Sequence, residues 1–181
     1  MLGGILAFMG FGAKEPARLG FARETDSLAP SPTPSGQQSN GVLSRAPARR
    51  VLMLDIDGVV HPAQAGSLIY LPLLEAWLRA HKCVDVVVSS NWKNTHTVEQ
   101  LRRLFSVDLR DRVLGTTPDC RGVREDEILA LVERYDIELW AAVDDREEGF
   151  PTTAAMHLAK TEYFDGLVPA TFTRLAWILQ L

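Results

Sequence analysis

The sequence predicts an α/β protein, a three-layer Rossmann-like parallel sheet with helices on both faces. Two observations carry that expectation: short apolar runs recur along the chain, and between them lie segments whose apolar residues follow helical spacing. A third sharpens it, because the three clearest apolar runs each stop at a group of Asp, Ser or Asn residues. Alternation of strand and helix builds an open parallel sheet, and such sheets bind ligands beyond the carboxyl ends of their strands.

The first strand is expected at Val51 to Leu54, where ARRVLMLDIDGVV passes from basic residues into an apolar run too short for a helix. Leu71, Leu74 and Leu78 then mark one helix face, with Pro72 tolerable only in the first turn. Val84 to Val88 reads as a second buried strand, and Val98, Leu101, Leu104 and Phe105 return to helical spacing. Ile128, Leu131, Val132 and Tyr135 give the clearest helical pattern, followed by a third strand at Leu139 to Val143. A weaker fourth strand is expected at Thr161 to Phe164, before a last helix that starts near Pro169 and buries Phe172, Leu175, Ile178 and Leu179. No internal repeat is visible.

Upstream, residues 13–48 are rich in Ala, Pro, Ser, Gly and Gln and show neither helical nor strand periodicity. They read as a disordered, dispensable leader, so that residues 1–49 precede a single domain at residues 50–181. The opening MLGGILAFMGFG is apolar, but no basic residue precedes it and no clean small-residue cleavage site follows, which argues against export. No stretch approaches the length needed to span a bilayer. Cys83 and Cys120 lack the spacing of a zinc knuckle or redox pair, as expected for reduced thiols in a cytoplasmic protein.

Charge limits the choice of partner. Residues 1–50 hold six Lys/Arg against three Asp/Glu, which leaves 13 basic and 20 acidic residues, a balance of −7, for residues 51–181. An acidic domain is a poor general binder of nucleic acid, so any such contact would be local. Nothing in the sequence calls for an obligate protein partner.

The chemistry sits at the three strand ends: Asp55-Ile56-Asp57-Gly58, Ser89-Ser90-Asn91 and Asp144-Asp145. Each is ordinary alone, as a turn, a helix cap or a solvated strand end. A calcium loop is excluded because Gly58 is followed by Val59-Val60-His61-Pro62, without further oxygen ligands. Together, on one edge of one sheet, they form a constellation.

VLMLDIDGVV, VVVSS and LWAAVDD, in that order and spacing, resemble the first, second and fourth motifs of the haloacid dehalogenase (HAD) superfamily. More narrowly, LDIDGVVHP followed by SSNWK and VDD resembles the HAD domain of Swiss Army knife RNA repair proteins, over about residues 50–181. The resemblance implies a phosphatase acting through an aspartyl-phosphate, on a phosphorylated substrate such as a nucleic-acid end or a nucleotide. A non-catalytic HAD-fold binding or regulatory module is the alternative, and intact Asp55 and Asp57 speak against it. On this likeness Asp55 is the nucleophile and Asp57 the acid and base, while Gly58 lets the backbone turn sharply toward the phosphate. Mg²⁺ would be held by Asp55, the backbone carbonyl of Asp57 and Asp144, with Asp145 acting through water or as an orienter. Ser89 would donate to a phosphate oxygen, with Ser90 and Asn91 assisting or only capping the next helix.

A cation to steady the phosphate is expected at the start of the helix before the last motif. Arg124 opens the periodic segment and is favoured, with Arg121 and Lys93 as alternatives. His61, His81 and Trp92 are expected to serve packing or to face solvent, although Trp92 could stack on a base or ring. Only 30 residues separate Gly58 from Ser89, and the stretch from Trp92 to Arg124 is equally short, so the fold should be HAD-like without a cap domain and its site open.

Overall fold

The computed structural model describes residues 39–64 and 66–181. Five parallel strands form one sheet: β1 (Arg50–Leu54), β2 (Val84–Val88), β3 (Val113–Thr116), β4 (Leu139–Asp144) and β5 (Leu158–Lys160). Their spatial order is β3-β2-β1-β4-β5, so the chain builds outward from β1 to β3 and then crosses back to β4 on the other side. Chain direction therefore reverses around β1, at the kind of switch point where ligands bind.

Alternate residues of each strand serve two separate cores. Leu52, Leu54, Val86 and Val88 pack with Leu74 and Leu78 of α1 (Leu71–Ala80), Leu101 of α2 (Val98–Arg103) and Leu175 of α5 (Pro169–Ile178). On the other face Val51, Met53, Val87 and Ala142 meet Ile128 and Leu131 of α3 (Arg124–Tyr135). A one-turn α4 (Ala154–His157) leads directly into β5. With both faces covered, only the strand ends can offer polar groups to solvent. None of the helices among the described residues is long and apolar enough to cross a membrane.

Two strand expectations are corrected. Val113–Thr116 forms β3, which is absent from the sequence-based set because VLGT is short and contains Gly115. The fourth predicted strand lies at Leu158–Lys160 rather than Thr161 to Phe164; the latter segment is a turn closed by Asp165 N–H and Gly166 N–H onto Glu162 O.

The expected start of order at Arg50 is also corrected. Residues 1–38 of the predicted leader lie outside the described residues, but residues 39–48 pack along the β3 side of the sheet. Leu43 is buried and its N–H donates to Tyr135 Oη at 2.9 Å, while Ser44 N–H donates to Leu114 O. Arg45 donates to both oxygens of Asp85, at 2.8 and 2.7 Å, and Ala48 N–H adds a third bond at 2.7 Å. Asp85 is 3% exposed on β2, so this strap supplies the partners of a buried carboxylate. Leaving such a charge unpaired costs about 3 kcal/mol or more. A protein truncated to residue 49 should therefore be less stable than one truncated to residue 39, by roughly 2–4 kcal/mol in urea unfolding; equal midpoints would show that the strap is dispensable.

Candidate active site

Register puts the first acidic residues side by side. Leu54 pairs with Val143 across β1 and β4, and Asp55 N–H continues the ladder by donating to Val143 O at 3.0 Å. Asp55 and Asp144 therefore leave adjacent strands at the same level. Carboxylate oxygens of Asp55, Asp144 and Asp145 all lie within 4.8 Å of one another. Asp55 and Asp144 are buried, at 7% and 3% exposure, and Asp145 is half-buried.

Crowding and burial disfavour three negative charges here. Burial pushes the Asp55 carboxyl from its ordinary 3.8 up to about 6, although Arg124 and a hydrogen bond from Ser90 act the other way. Asp144 rises further, to about 7, from burial first and the neighbouring Asp55 charge second. Asp145 is raised too, chiefly by burial. The compensation is limited. Arg124 Nε lies 3.6 Å from Asp144 Oδ2, and Arg146 N–H donates to Asp144 Oδ1 at 2.8 Å. A hard divalent cation suits this donor set, because it favours carboxylate oxygens and removes the repulsion.

Asp57 stands apart from that cluster. Its side chain is 28% exposed, and both carboxylate oxygens are engaged: Oδ1 with His61 Nδ1 at 2.7 Å and Oδ2 with Trp92 Nε1 at 3.0 Å. The chain folds back to make this possible, with Gly58 N–H donating to His61 O and His61 N–H to Ile56 O. Gly58 takes a positive φ of 72°, and a Cβ there would sit 2.5 Å from Asp145 Cγ. Glycine thus serves both the turn and the close approach of Asp145. Thr161 Oγ1, just past the end of β5, donates to Gly58 O at 2.8 Å and pins the turn.

Ser89, at the end of β2, donates its N–H to Leu54 O, while its hydroxyl is buried without a hydrogen-bond partner. A buried unpaired hydroxyl at this edge is costly by itself and is ready to bond an oxygen-rich ligand. Ser90 accepts from Trp92 N–H at 3.4 Å and hydrogen-bonds the Asp55 carboxylate, so it orients rather than merely caps. Exposed Asn91 accepts from Arg124 Nη2 at 3.4 Å.

The three cation candidates separate by location. Arg124 opens α3 and reaches Asp144, Asn91 and Glu127. Arg121 is exposed and makes no ion pair among the described residues. Lys93 has a side chain only 2% exposed and is consumed by Glu127 at 2.8 Å, Asp119 at 3.1 Å and Pro118 O at 2.9 Å. Glu127 bridges Lys93 and Arg124, which makes Lys93 a buried counter-charge for the helix that carries Arg124. His81 caps α1 by bonding Trp77 O, in keeping with a structural part. Trp92 packs against the core as expected and His61 is buried, and each in addition bonds Asp57. The Asp57–His61 pair lies in a turn and not a helix, and Trp92 is 35 residues from Asp57, so neither contact follows from a helix or strand pattern.

The raised carboxyls fix how the cation-free protein responds to pH. Groups held near 6 and 7 in the fold and near 3.8 when unfolded keep protons that the unfolded chain releases. Their stabilising contribution is complete below about pH 4 and is lost as pH rises through 6 to 7. The melting temperature of the chelator-treated protein should fall between pH 5.5 and 8, and Asp144→Asn should flatten that fall; an unchanged slope in the variant would place its cause elsewhere.

A family model described as the HAD domain in Swiss Army Knife RNA repair proteins matches residues 51–172. No curated protein matches the chain.

Proposed function

The chain belongs to the family of HAD domains found in Swiss Army Knife RNA repair proteins, and from that premise we propose that it is a Mg²⁺-dependent phosphomonoester hydrolase that works through an aspartyl-phosphate on Asp55. The observation that carries the proposal is the division of the acidic residues: three carboxylates gathered within 4.8 Å beside Arg124, and a fourth, Asp57, held apart by its own donors.

Asp55, Asp144 and the backbone carbonyl of Asp57 would hold Mg²⁺, with Asp145 as a further or water-mediated ligand. When bound, the ion offsets the carboxylate repulsion and the charge of the phosphate, which otherwise keeps an anionic nucleophile away. The remaining work falls to the chain. An Asp55 oxygen attacks phosphorus while the bond from phosphorus to the ester oxygen breaks. Asp57 gives its proton to that departing oxygen, then takes one from the water that attacks the aspartyl-phosphate and frees the Asp55 carboxylate. Ser89 donates its unpaired hydroxyl to a phosphate oxygen, and Arg124 balances charge at the same edge.

For substrates, the uncapped edge admits a large phosphomonoester, and the family points first to polynucleotide ends and nucleotides. The −7 balance of residues 51–181 favours a substrate gripped at its terminal phosphate over one bound along its backbone. Two exposed free thiols, Cys83 and Cys120, accord with a reducing, cytoplasmic setting.

Hydrolysis of an aryl phosphate with and without Mg²⁺, followed by a screen of phosphorylated RNA and DNA ends, nucleotides and sugar phosphates, tests the proposal. Wild-type turnover should require the divalent ion and stop with EDTA, and Asp55→Asn should abolish it without loss of fold by circular dichroism. Turnover by that variant would remove Asp55 as nucleophile, and a folded wild type inert with every divalent ion would favour a binding module. Arg124→Ala should lower kcat/KM by about 10²-fold or more, whereas Arg121→Ala should change it less than about threefold; steady-state kinetics on one substrate distinguishes them.

A further inference from the structure

We propose that His61 and Trp92 are positioning residues whose two N–H groups hold the Asp57 carboxylate out of the cation cluster and reserve it for proton transfer to the leaving group. The inference rests on the assignment of this site to phosphate-ester hydrolysis and adds to it the device that separates two jobs among four neighbouring carboxylates.

The geometry points to a clamp with a defined proton arrangement. Gly66 N–H donates to His61 Nε2 at 3.1 Å, so Nε2 carries the lone pair and the ring proton resides on Nδ1. That proton faces Asp57 Oδ1 at 2.7 Å. Trp92 Nε1 can only donate, and it faces the other oxygen at 3.0 Å. Neither donor carries a charge that would compete with a cation or a phosphate. The indole is itself fixed, stacked on His96 at 4.9 Å and 16° and set edgewise to His61 at 5.9 Å. The next residue, Lys93, is tied into buried ion pairs that anchor this turn.

Without the clamp, Asp57 sits two residues from Asp55 at the same sheet edge and is free to turn toward the cation as a fourth ligand. With it, the carboxylate remains outside the group formed by Asp55, Asp144 and Asp145. In the first step, the electron pair of the breaking phosphorus–oxygen bond passes to the ester oxygen, which receives the Asp57 proton. An alkyl leaving group needs that proton. A nitrophenolate, stable as an anion, does not.

Leaving-group dependence is therefore the readout, since general damage to the fold slows both substrates alike. Trp92→Phe preserves the ring and removes the donor; His61→Leu removes the other. Each should lower kcat/KM, which reports transfer of the phosphoryl group to Asp55 and not the later hydrolysis shared by all substrates, by about 10–100-fold for an alkyl phosphate while changing it by less than about threefold for 4-nitrophenyl phosphate. His61→Asn, whose side-chain amide nitrogen can take the place of Nδ1, should recover most of the alkyl-phosphate rate. Parallel losses of kcat/KM on both substrates, or no loss of kcat/KM on the alkyl phosphate in Trp92→Phe, would overturn the clamp while leaving the hydrolase assignment in place. A wild type that hydrolyses neither ester with Mg²⁺ would overturn both.

Discussion

Repulsion between carboxylates at the ends of β1 and β4 is the constraint to which the rest of the site answers. The ladder that pairs Leu54 with Val143 leaves the next residue of each strand, Asp55 and Asp144, side by side in a half-dry environment. Two buried anions at that separation are unfavourable, and the fold holds their protons tightly in response. Nearby features temper this strain without removing it: Arg124 at the start of α3, the Arg146 amide, and the Ser90 hydroxyl. The glycine at 58 admits Asp145 to the same space, adding acid where acid is already costly. A positive charge among these oxygens would relieve that repulsion, which links fold stability to chemistry.

Distance along the chain decided which parts were legible in the sequence. β1, β2 and β4 are buried on both faces, so each announces itself as an apolar run, broken in β2 by Asp85, and their polar ends stand out by contrast. β3 and β5 are edge strands of four and three residues. Half of their surroundings is loop, which lets Gly115 and Lys160 enter and removes the signal. Segment 39–48 shows no period because, apart from Leu43, which joins the core, it is fastened by scattered polar contacts. Its partners Asp85, Thr116 and Asp119 lie 40, 77 and 80 residues away.

The site divides along the same line. Asp55, Asp57, Ser89, Asp144 and Asp145 follow strands directly, so strand assignment is enough to collect them. His61 and Trp92 act through a loop that folds back and through the turn after β2, which no periodicity describes. Lys93 illustrates the converse. It stands beside a phosphate-type motif, yet Asp119 and Glu127 saturate its ammonium in a pocket that excludes water. A cation so thoroughly paired orients its neighbours and has little left for a substrate. Its effect on Arg124 passes through Glu127, which both of them contact.

The strap has a further consequence through where it begins. Ser39 meets Thr116 Oγ1 at 2.6 Å and Asp119 at 2.8 Å, at the carboxyl end of β3 and one ion pair away from Lys93. The strap and the reactive groups therefore share one rim of the sheet. Loosening Ser39 would free Asp119, one of the two carboxylates that hold Lys93, and through Glu127 that change would reach Arg124.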